Sequence, residues 1–385
     1  MNIKSFVKEI SLINSSVLKI RKHTPKRMGS WKEPADLLIK KENFNGKVVD
    51  AINITLTPTG CEWANTGGCT MCGEWSGSNL GKKIDAEYHI AQFASCVAQL
   101  LLNYQSPWIK IFQEGNYINS REFDTFAQVT IIRLASLLKG VKRITIEGMA
   151  RYINEDIARL LKDSIHRDVE LEVGIGFESQ NEIIRMVCIN KGQTIPQFEK
   201  AVKILKLYGF KTLAYVLLKP AFLTEKEAII ESIKTIKKAF EIGFDRVSLE
   251  PLSVHEWSLT EALHKNGLYD TPWLWSVIEV IKKTYHLGEI RVGGIEYYPR
   301  PSIIARNHHI NGSHCSKIIP DAIKKFNETQ DITVFNNLSC TCKRDWEKKL
   351  LEQTIPVKER ITLYLSKISL DDYLQLKQNP GKKYA

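Results

Sequence analysis

From residue 51 onward the sequence predicts an α/β fold, a partial (β/α)6 barrel of the TIM type with an N-terminal basic arm and a C-terminal extension that covers it. Three observations predict this. Short apolar runs alternate with amphipathic stretches between residues 51 and 255, the rhythm of parallel strands and the helices that cover them. Each predicted strand stops at a polar cluster, the place where such barrels carry their chemistry. A glycine-punctuated loop with three cysteines follows the first strand directly.

Taken in order, residues 1–50 form the arm. It holds one amphipathic helix and the basic run Lys19-Ile20-Arg21-Lys22-His23-Thr24-Pro25-Lys26-Arg27, and either packs on the main domain or contacts substrate. Arg21, Lys22, Lys26 and Arg27 are its candidates for phosphate contact. Strands are predicted at 51–57, 108–113, 142–147, 170–177, 211–218 and 245–249, where runs such as Trp108-Ile109-Lys110-Ile111-Phe112 are β-branched or aromatic. Helices are predicted near 86–104, 121–139, 154–163, 194–208 and 225–241. The last begins at Thr224, with Glu227 as its capping-box partner. Residues 256–385 form the extension. It has a helix near 273–285, a strand-like Glu289-Ile290-Arg291-Val292, a Cys/His-bearing stretch and, over 343–385, a charged, helical, solvent-exposed tail.

The 385 residues are 43% hydrophobic and 25% charged, ordinary for a soluble globular protein. No apolar run approaches the roughly 18–20 residues that span a bilayer. The N-terminus breaks its apolar residues with charges too early for a signal peptide. A cytoplasmic protein with no membrane partner is expected. Eight cysteines in so long a chain do not suggest a disulfide scaffold. The net charge of +11 suits a polyanionic partner, and equally a solvated basic surface.

Cys61, Cys69 and Cys72 stand as C-x7-C-x2-C. Three thiolates are one short of a structural zinc site, whereas an iron–sulfur cluster held by three cysteines keeps one iron open for a ligand. Zinc completed by a distant cysteine is the alternative. The strand ends add Gln113-Glu114-Gly115-Asn116, Glu147 to Tyr152 with Arg151 among them, Glu178-Ser179-Gln180, Lys219-Pro220 and Glu250-Pro251. Near the C-terminus, Cys315, Cys340 and Cys342 with His308, His309 or His314 form a candidate second metal site, for which zinc is the natural ion. Reduced, packed thiols are the alternative there. Cys96 lies in an apolar helical stretch and reads as a buried small side chain.

With these residues in view, the chain resembles the radical S-adenosylmethionine (SAM) enzymes, and within them the radical enzyme of archaeosine synthesis, related to the elongator-type and methylthiotransferase-type groups. The resemblance runs from about Ser30-Trp31 to Trp346. It is carried by Gly68-Cys69-Thr70-Met71-Cys72-Gly73, Gly176-Phe177-Glu178-Ser179, Ile189-Asn190-Lys191-Gly192, Leu218-Lys219-Pro220-Ala221-Phe222-Leu223-Thr224-Glu225, Thr271-Pro272-Trp273-Leu274-Trp275-Ser276-Val277 and Cys340-Thr341-Cys342-Lys343. The strand-two loop, Glu114-Gly115-Asn116-Tyr117-Ile118-Asn119, departs from that group's form.

The resemblance implies a radical SAM barrel with a 4Fe–4S cluster on Cys61, Cys69 and Cys72, and cleavage of SAM to a 5′-deoxyadenosyl radical. It implies that Gln113, Glu114, Gly115 and Asn116 meet the methionine amino group and Glu178 the ribose, while Arg151, Lys191 or Lys219 offers charge to a carboxylate. It further implies a tRNA substrate whose deazaguanine carries a lysine adduct, C–N cleavage of that adduct, a partner enzyme that makes it, and a reductant such as ferredoxin or flavodoxin. Two other readings stay open: a radical SAM enzyme acting on a small metabolite or peptide, and a zinc-containing nucleic-acid-binding module.

Overall fold

A computed structural model describes residues 2–25, 33–34, 36–101, 104–295, 303–307 and 315–378. One sheet organises them. Its strands are β1 (Asp36–Phe44), β2 (Lys47–Thr55), β3 (Trp108–Phe112), β4 (Arg143–Gly148), β5 (Glu170–Glu178), β6 (Lys211–Leu218), β7 (Arg246–Pro251) and β8 (Glu289–Val292), lying side by side in chain order. From β2 to β8 every neighbouring pair is parallel, and helices fill the connections as parallel pairing requires. The sheet is a partial TIM-like barrel, and its C-terminal strand ends form the mouth.

The six predicted strands are present, and the sheet gains one strand at each edge. The strand-like run at 289–292 joins β7 as β8. At the other edge β1 pairs antiparallel with β2 through the turn Asn45-Gly46, whose φ values of 53° and 81° are both left-handed. Asn-Gly is the favoured pair for such a two-residue hairpin. The sheet therefore begins inside what the sequence suggested was the arm, and the boundary expected at residue 50 falls within β2.

The helices are α1 (Val7–His23), α2 (Ala86–Cys96), α3 (Thr125–Ser136), α4 (Glu155–Ser164), α5 (Ile195–Leu207), α6 (Glu225–Ile242), α7 (Leu259–Lys265), α8 (Leu274–Thr284), α9 (Cys315–Thr329), α10 (Lys343–Leu350), α11 (Val357–Ser366) and α12 (Leu370–Gln378). The predicted 86–104 helix loses α-geometry after Cys96 and widens into a π-turn at Val97–Leu101. At the start of α6 the capping box forms as expected: Glu227 N donates to Thr224 Oγ1 (3.3 Å) and Thr224 N to Glu227 Oε2 (2.8 Å).

The C-terminal segment is helical as expected but not a solvent-exposed tail. α11 and α12 pack on α1, burying Ile361, Tyr373 and Leu374. Arg360 Nη2 makes a forked pair with Glu227 at 2.9 and 2.7 Å, and Tyr373 donates to Glu261 at 2.6 Å. α1 is thus held between these helices and the cysteine loop. Among the described residues no helix is long and apolar enough to cross a membrane.

Below the mouth the barrel is filled by a charged network. Lys110 on β3 pairs with Glu42 on β1 at 2.5 Å, and Arg291 on β8 reaches the same carboxylate at 3.2 Å. Arg246 on β7 meets Glu172 on β5 at 3.1 Å, and Thr145 and Trp108 continue the chain of hydrogen bonds. Burial raises the Glu42 pKa, but the charges of Arg291 and Lys110 outweigh it and hold it at about 2. Each buried charge has a partner from another strand, so the network fixes the strands around the barrel axis.

Candidate active site

The cysteine loop leaves β2 at the mouth. Cys61 precedes a short 3-10 turn, Glu62–Thr66, and Gly67 and Gly68 turn the chain back at φ 138° and 86°. Hydrogen bonds from three directions fix the return. Thr70 N donates to Ile189 O (3.0 Å), Thr70 Oγ1 to Cys188 O (2.8 Å), and Thr260 N to Thr70 O (3.2 Å). Asn190 Nδ2 donates to Gly68 O at 2.8 Å, and Trp63 Nε1 donates to Asn190 O at 2.8 Å.

Cys69 and Cys72 disfavour ionisation of Cys61, and Cys72 that of Cys69. Burial, then Glu122 and the other two cysteines, push the Cys61 thiol up. Burial pushes Cys69 up to about 12 against the pull of Lys191 and Arg21. Yet the trio does not draw together to within 4.8 Å, as the ligands of a single ion do. Three free thiols on one glycine-turned loop are the donor set of a cluster that keeps one iron open.

Arg21 adds to this fit. The sequence suggested a phosphate-contact residue on the arm, but helical spacing sets it beside Ile13, Val17 and Ile20 on the buried face of α1, and it is 6% exposed. Its Nη2 donates to Cys72 O at 2.8 Å and to Cys69 O at 3.4 Å. Its Nε and Nη1 are buried with no hydrogen-bond partner among the described residues. A guanidinium with spare donors behind the loop suits a thiolate-bound, anionic cluster. Lys22 is exposed, while Lys26 and Arg27 lie outside the described residues.

The predicted cofactor residues divide by their partners. Lys191 Nζ pairs with Glu178 Oε1 at 2.7 Å beside Cys69, and burial of the ammonium is outweighed by Glu178 and the sulfur, which hold its pKa above the usual range. Glu178 ends β5 at φ 61° after a bulge. A Cβ on Gly176 would overlap Lys191 Nζ and Glu178 Oε1, so a side chain there would shift the pair. Arg151 lies over the Trp63 ring (5.0 Å) and donates to Gly192 O, bracing the loop.

In the strand-two loop, Gly115 sits against Cys61, since a Cβ there would stand 3.6 Å from the Cys61 Cα. Glu114 reaches into the mouth, but Gln113 and Asn116 serve the loop itself. Gln113 Oε1 accepts from Asn116 N (3.3 Å), and Asn116 Oδ1 accepts from Met149 N (2.5 Å). Lys219 is committed elsewhere, to Glu225 at 2.7 Å, with Glu225 Oε1 accepting from Trp273 N (2.9 Å) and Ser276 Oγ (2.5 Å). That pair braces β6 against α6 and α8.

Glu74 and His255, which the sequence reading did not single out, also reach the mouth. Glu74 follows the cysteine loop and joins Glu114, Glu147 and Glu250 in a group of carboxylates. Burial, then Glu74, which shares a hydrogen bond with it, raises Glu114 well above the carboxylate range. Burial raises Glu147 to about 7, against a hydrogen bond from Tyr215 and with Glu74 and Glu250 adding repulsion. Burial also raises Glu250, which Arg291 opposes. His255 packs its Cβ against Gly73 and lies near Glu74. An acid-lined mouth that is partly protonated near neutrality attracts cationic ligands.

This predicts a pH dependence. Because the folded value of Glu147 lies above its ordinary 4.5, its contribution to stability is full below that value and is lost as pH rises through about 7. Denaturation midpoints should therefore fall as pH rises from 4.5 to about 7, and Glu147→Gln should flatten part of that slope. Equal slopes in both proteins would remove Glu147 as the source.

In the C-terminal extension the structure brings Cys315, Cys340 and Cys342 together, with sulfurs all within 4.8 Å. His308, His309 and His314 lie outside the described residues.

No protein-family profile matches the chain. An uncharacterized protein of Methanocaldococcus jannaschii is 34% identical over 308 residues, spanning 77% of this chain and 80% of that one. Archaeosine synthase subunit beta of Methanosarcina acetivorans is 28% identical over 340 residues, 88% of this chain and 96% of that protein. Among solved structures, the archaeal Methanocaldococcus infernus Elp3 aligns at 17% identity and a TM-score of 0.45, over 62% of this chain and 58% of that one. Kinship that extends over most of both sequences places this protein in one family with the Methanocaldococcus jannaschii protein, as a radical SAM protein similar to archaeosine synthase subunit beta.

Proposed function

We propose that this chain is the radical SAM subunit of a tRNA-modifying enzyme that cleaves a C–N bond in the lysine adduct of a deazaguanine base, leaving an amidine. The observation that carries this reading is the relationship to archaeosine synthase subunit beta across nearly the whole of that protein. A 4Fe–4S cluster on Cys61, Cys69 and Cys72 with SAM on its open iron would supply the 5′-deoxyadenosyl radical that abstracts a hydrogen from the lysine part.

Around that chemistry the chain's own groups have distinct tasks. Arg21, Asn190 and Thr70 hold the cysteine loop in place through its backbone. Lys191 and Glu178 present a paired charge at the end of β5, where Glu178 keeps an oxygen for a ribose hydroxyl and Lys191 balances cluster sulfur and SAM carboxylate. Glu114 and its neighbours Glu74 and Glu147 offer acceptors to ammonium groups, that of SAM and those of the lysine adduct. The barrel walls keep water from the reacting atoms. The word "subunit" in the relative's name supports a partner that makes the adduct, and a low-potential protein such as ferredoxin or flavodoxin is the proposed reductant.

The test is turnover on RNA. Reduced, reconstituted chain with SAM and adduct-bearing tRNA should give 5′-deoxyadenosine and the amidine nucleoside in equal amounts, read by mass spectrometry. Binding to that tRNA should weaken steadily with salt, as phosphate contacts do. Formation of 5′-deoxyadenosine with an unchanged tRNA nucleoside would turn the assignment to a small metabolite or peptide.

A further inference from the structure

The strongest unassigned cluster in the molecule is Cys315, Cys340 and Cys342. Cys315 is the first residue of α9, and Cys342 caps α10 at the end of the turn Cys340-Thr341-Cys342. Cys315 and Cys342 are buried at 0% and 1% exposure, and their sulfurs are 3.5 Å apart. That is far beyond the roughly 2.05 Å of a disulfide. It is close to the roughly 3.8 Å between sulfurs that a tetrahedral ion with metal–sulfur bonds of about 2.3 Å requires.

Two N–H groups point at the buried sulfurs. Trp275 Nε1 on α8 points its N–H at Cys342 Sγ (3.2 Å), and Asn307 Nδ2 points at Cys315 Sγ (3.4 Å). A neutral thiol is a weak acceptor, whereas metal-bound thiolates regularly take such hydrogen bonds from surrounding groups. The two buried sulfurs also stand at helix N-termini, which favour negative charge.

We propose that these three cysteines bind one zinc ion, with the fourth coordination position taken by a non-cysteine ligand, and that this ion is structural. Binding releases the thiol protons and leaves the metal redox-inert. The ion ties the start of α9 to the start of α10. α9 packs on β1 and β8, and α10 packs on α6 and anchors Trp346 Nε1 on Ser276 Oγ (2.8 Å). Asn307 belongs to the segment 303–307, which bridges Val254 through Ile303, and the next residue, His255, packs on Gly73 of the cysteine loop. The zinc site would thus pin the C-terminal cover over the mouth, two short steps from the radical centre. It does not depend on the substrate proposed above.

The experiment is metal analysis of the full chain purified anaerobically, with zinc and iron measured per polypeptide. Wild type should carry one zinc beside its iron. Cys61→Ala/Cys69→Ala/Cys72→Ala should lose the iron and keep the zinc. Cys340→Ser, the least buried of the three and the substitution that disturbs packing least, should lose the zinc and keep the iron. Cobalt in place of zinc should give the sulfur-to-cobalt charge-transfer absorption of a tetrahedral thiolate site, absent in Cys340→Ser. The proposal fails if wild type holds no zinc, if extra iron replaces it, if Cys315 and Cys342 are found as a disulfide, or if zinc stays at full occupancy in Cys340→Ser. Because the wild-type measurement decides the matter alone, a variant that does not fold cannot shelter it.

Discussion

Alanine at any one of Cys61, Cys69 and Cys72 is expected to reduce cluster iron and 5′-deoxyadenosine formation to background. The loop supplies three sulfurs and no fourth cysteine, so losing one leaves two ligands for a cluster that needs three to keep a single iron open. Nor is Cys69 a ready-made anion: burial holds it up at about 12, so binding must first expel its proton, with Lys191 and Arg21 assisting. The fold should survive each change, because the loop's backbone is held by Thr70, Asn190 and Arg21 rather than by the sulfurs. Cys96→Ala is the control, since that buried side chain lies in α2, away from the mouth. Iron content, absorbance and product are all measurable, and a single variant with full iron would remove that cysteine from the site.

Much of the barrel was legible because its signals are local. β-branched runs, the Thr224–Glu227 capping box and the spacing of the cysteines each act within a few residues of sequence. The first strand was missed although its signal is also local. Asn45-Gly46 sits between Phe44 and Lys47, and a hairpin there converts part of a presumed arm into sheet edge. Arg21 was misplaced for a different reason. Reading the basic run by charge makes it a phosphate contact, whereas reading it by helical phase groups it with Ile13, Val17 and Ile20, which are buried. What no local pattern gives is which charged groups meet. The strand-end glutamates could be listed in advance, but that Glu74 shares a hydrogen bond with Glu114, that Lys219 goes to Glu225, and that Lys191 goes to Glu178 follows from barrel curvature and loop path.

That last pair gives the second large effect. Lys191 and Glu178 have side chains only 12% and 9% exposed and lie 2.7 Å apart. Removing one partner of a buried pair leaves the other charge without compensation, at a cost of about 3–5 kcal/mol. Lys191→Met should therefore lower stability by about that amount, measured by denaturant titration. It should also weaken SAM binding, because the ammonium is the charge that most favours ionised Cys69 and it is paired with Glu178. Loss of one charge-assisted hydrogen bond predicts roughly a tenfold to hundredfold drop in affinity. The double variant Glu178→Gln/Lys191→Met separates the two roles. It has no orphaned charge, so most of the lost stability should return, since replacing both members of a buried pair is often nearly neutral. If the pair only braces the β5 end, SAM affinity should return with stability. If it contacts SAM, affinity should stay low in the stable double variant, and that is the expected result. Full SAM affinity in the double variant would reduce Lys191 and Glu178 to structural residues and move the ribose contact to another carboxylate of the mouth.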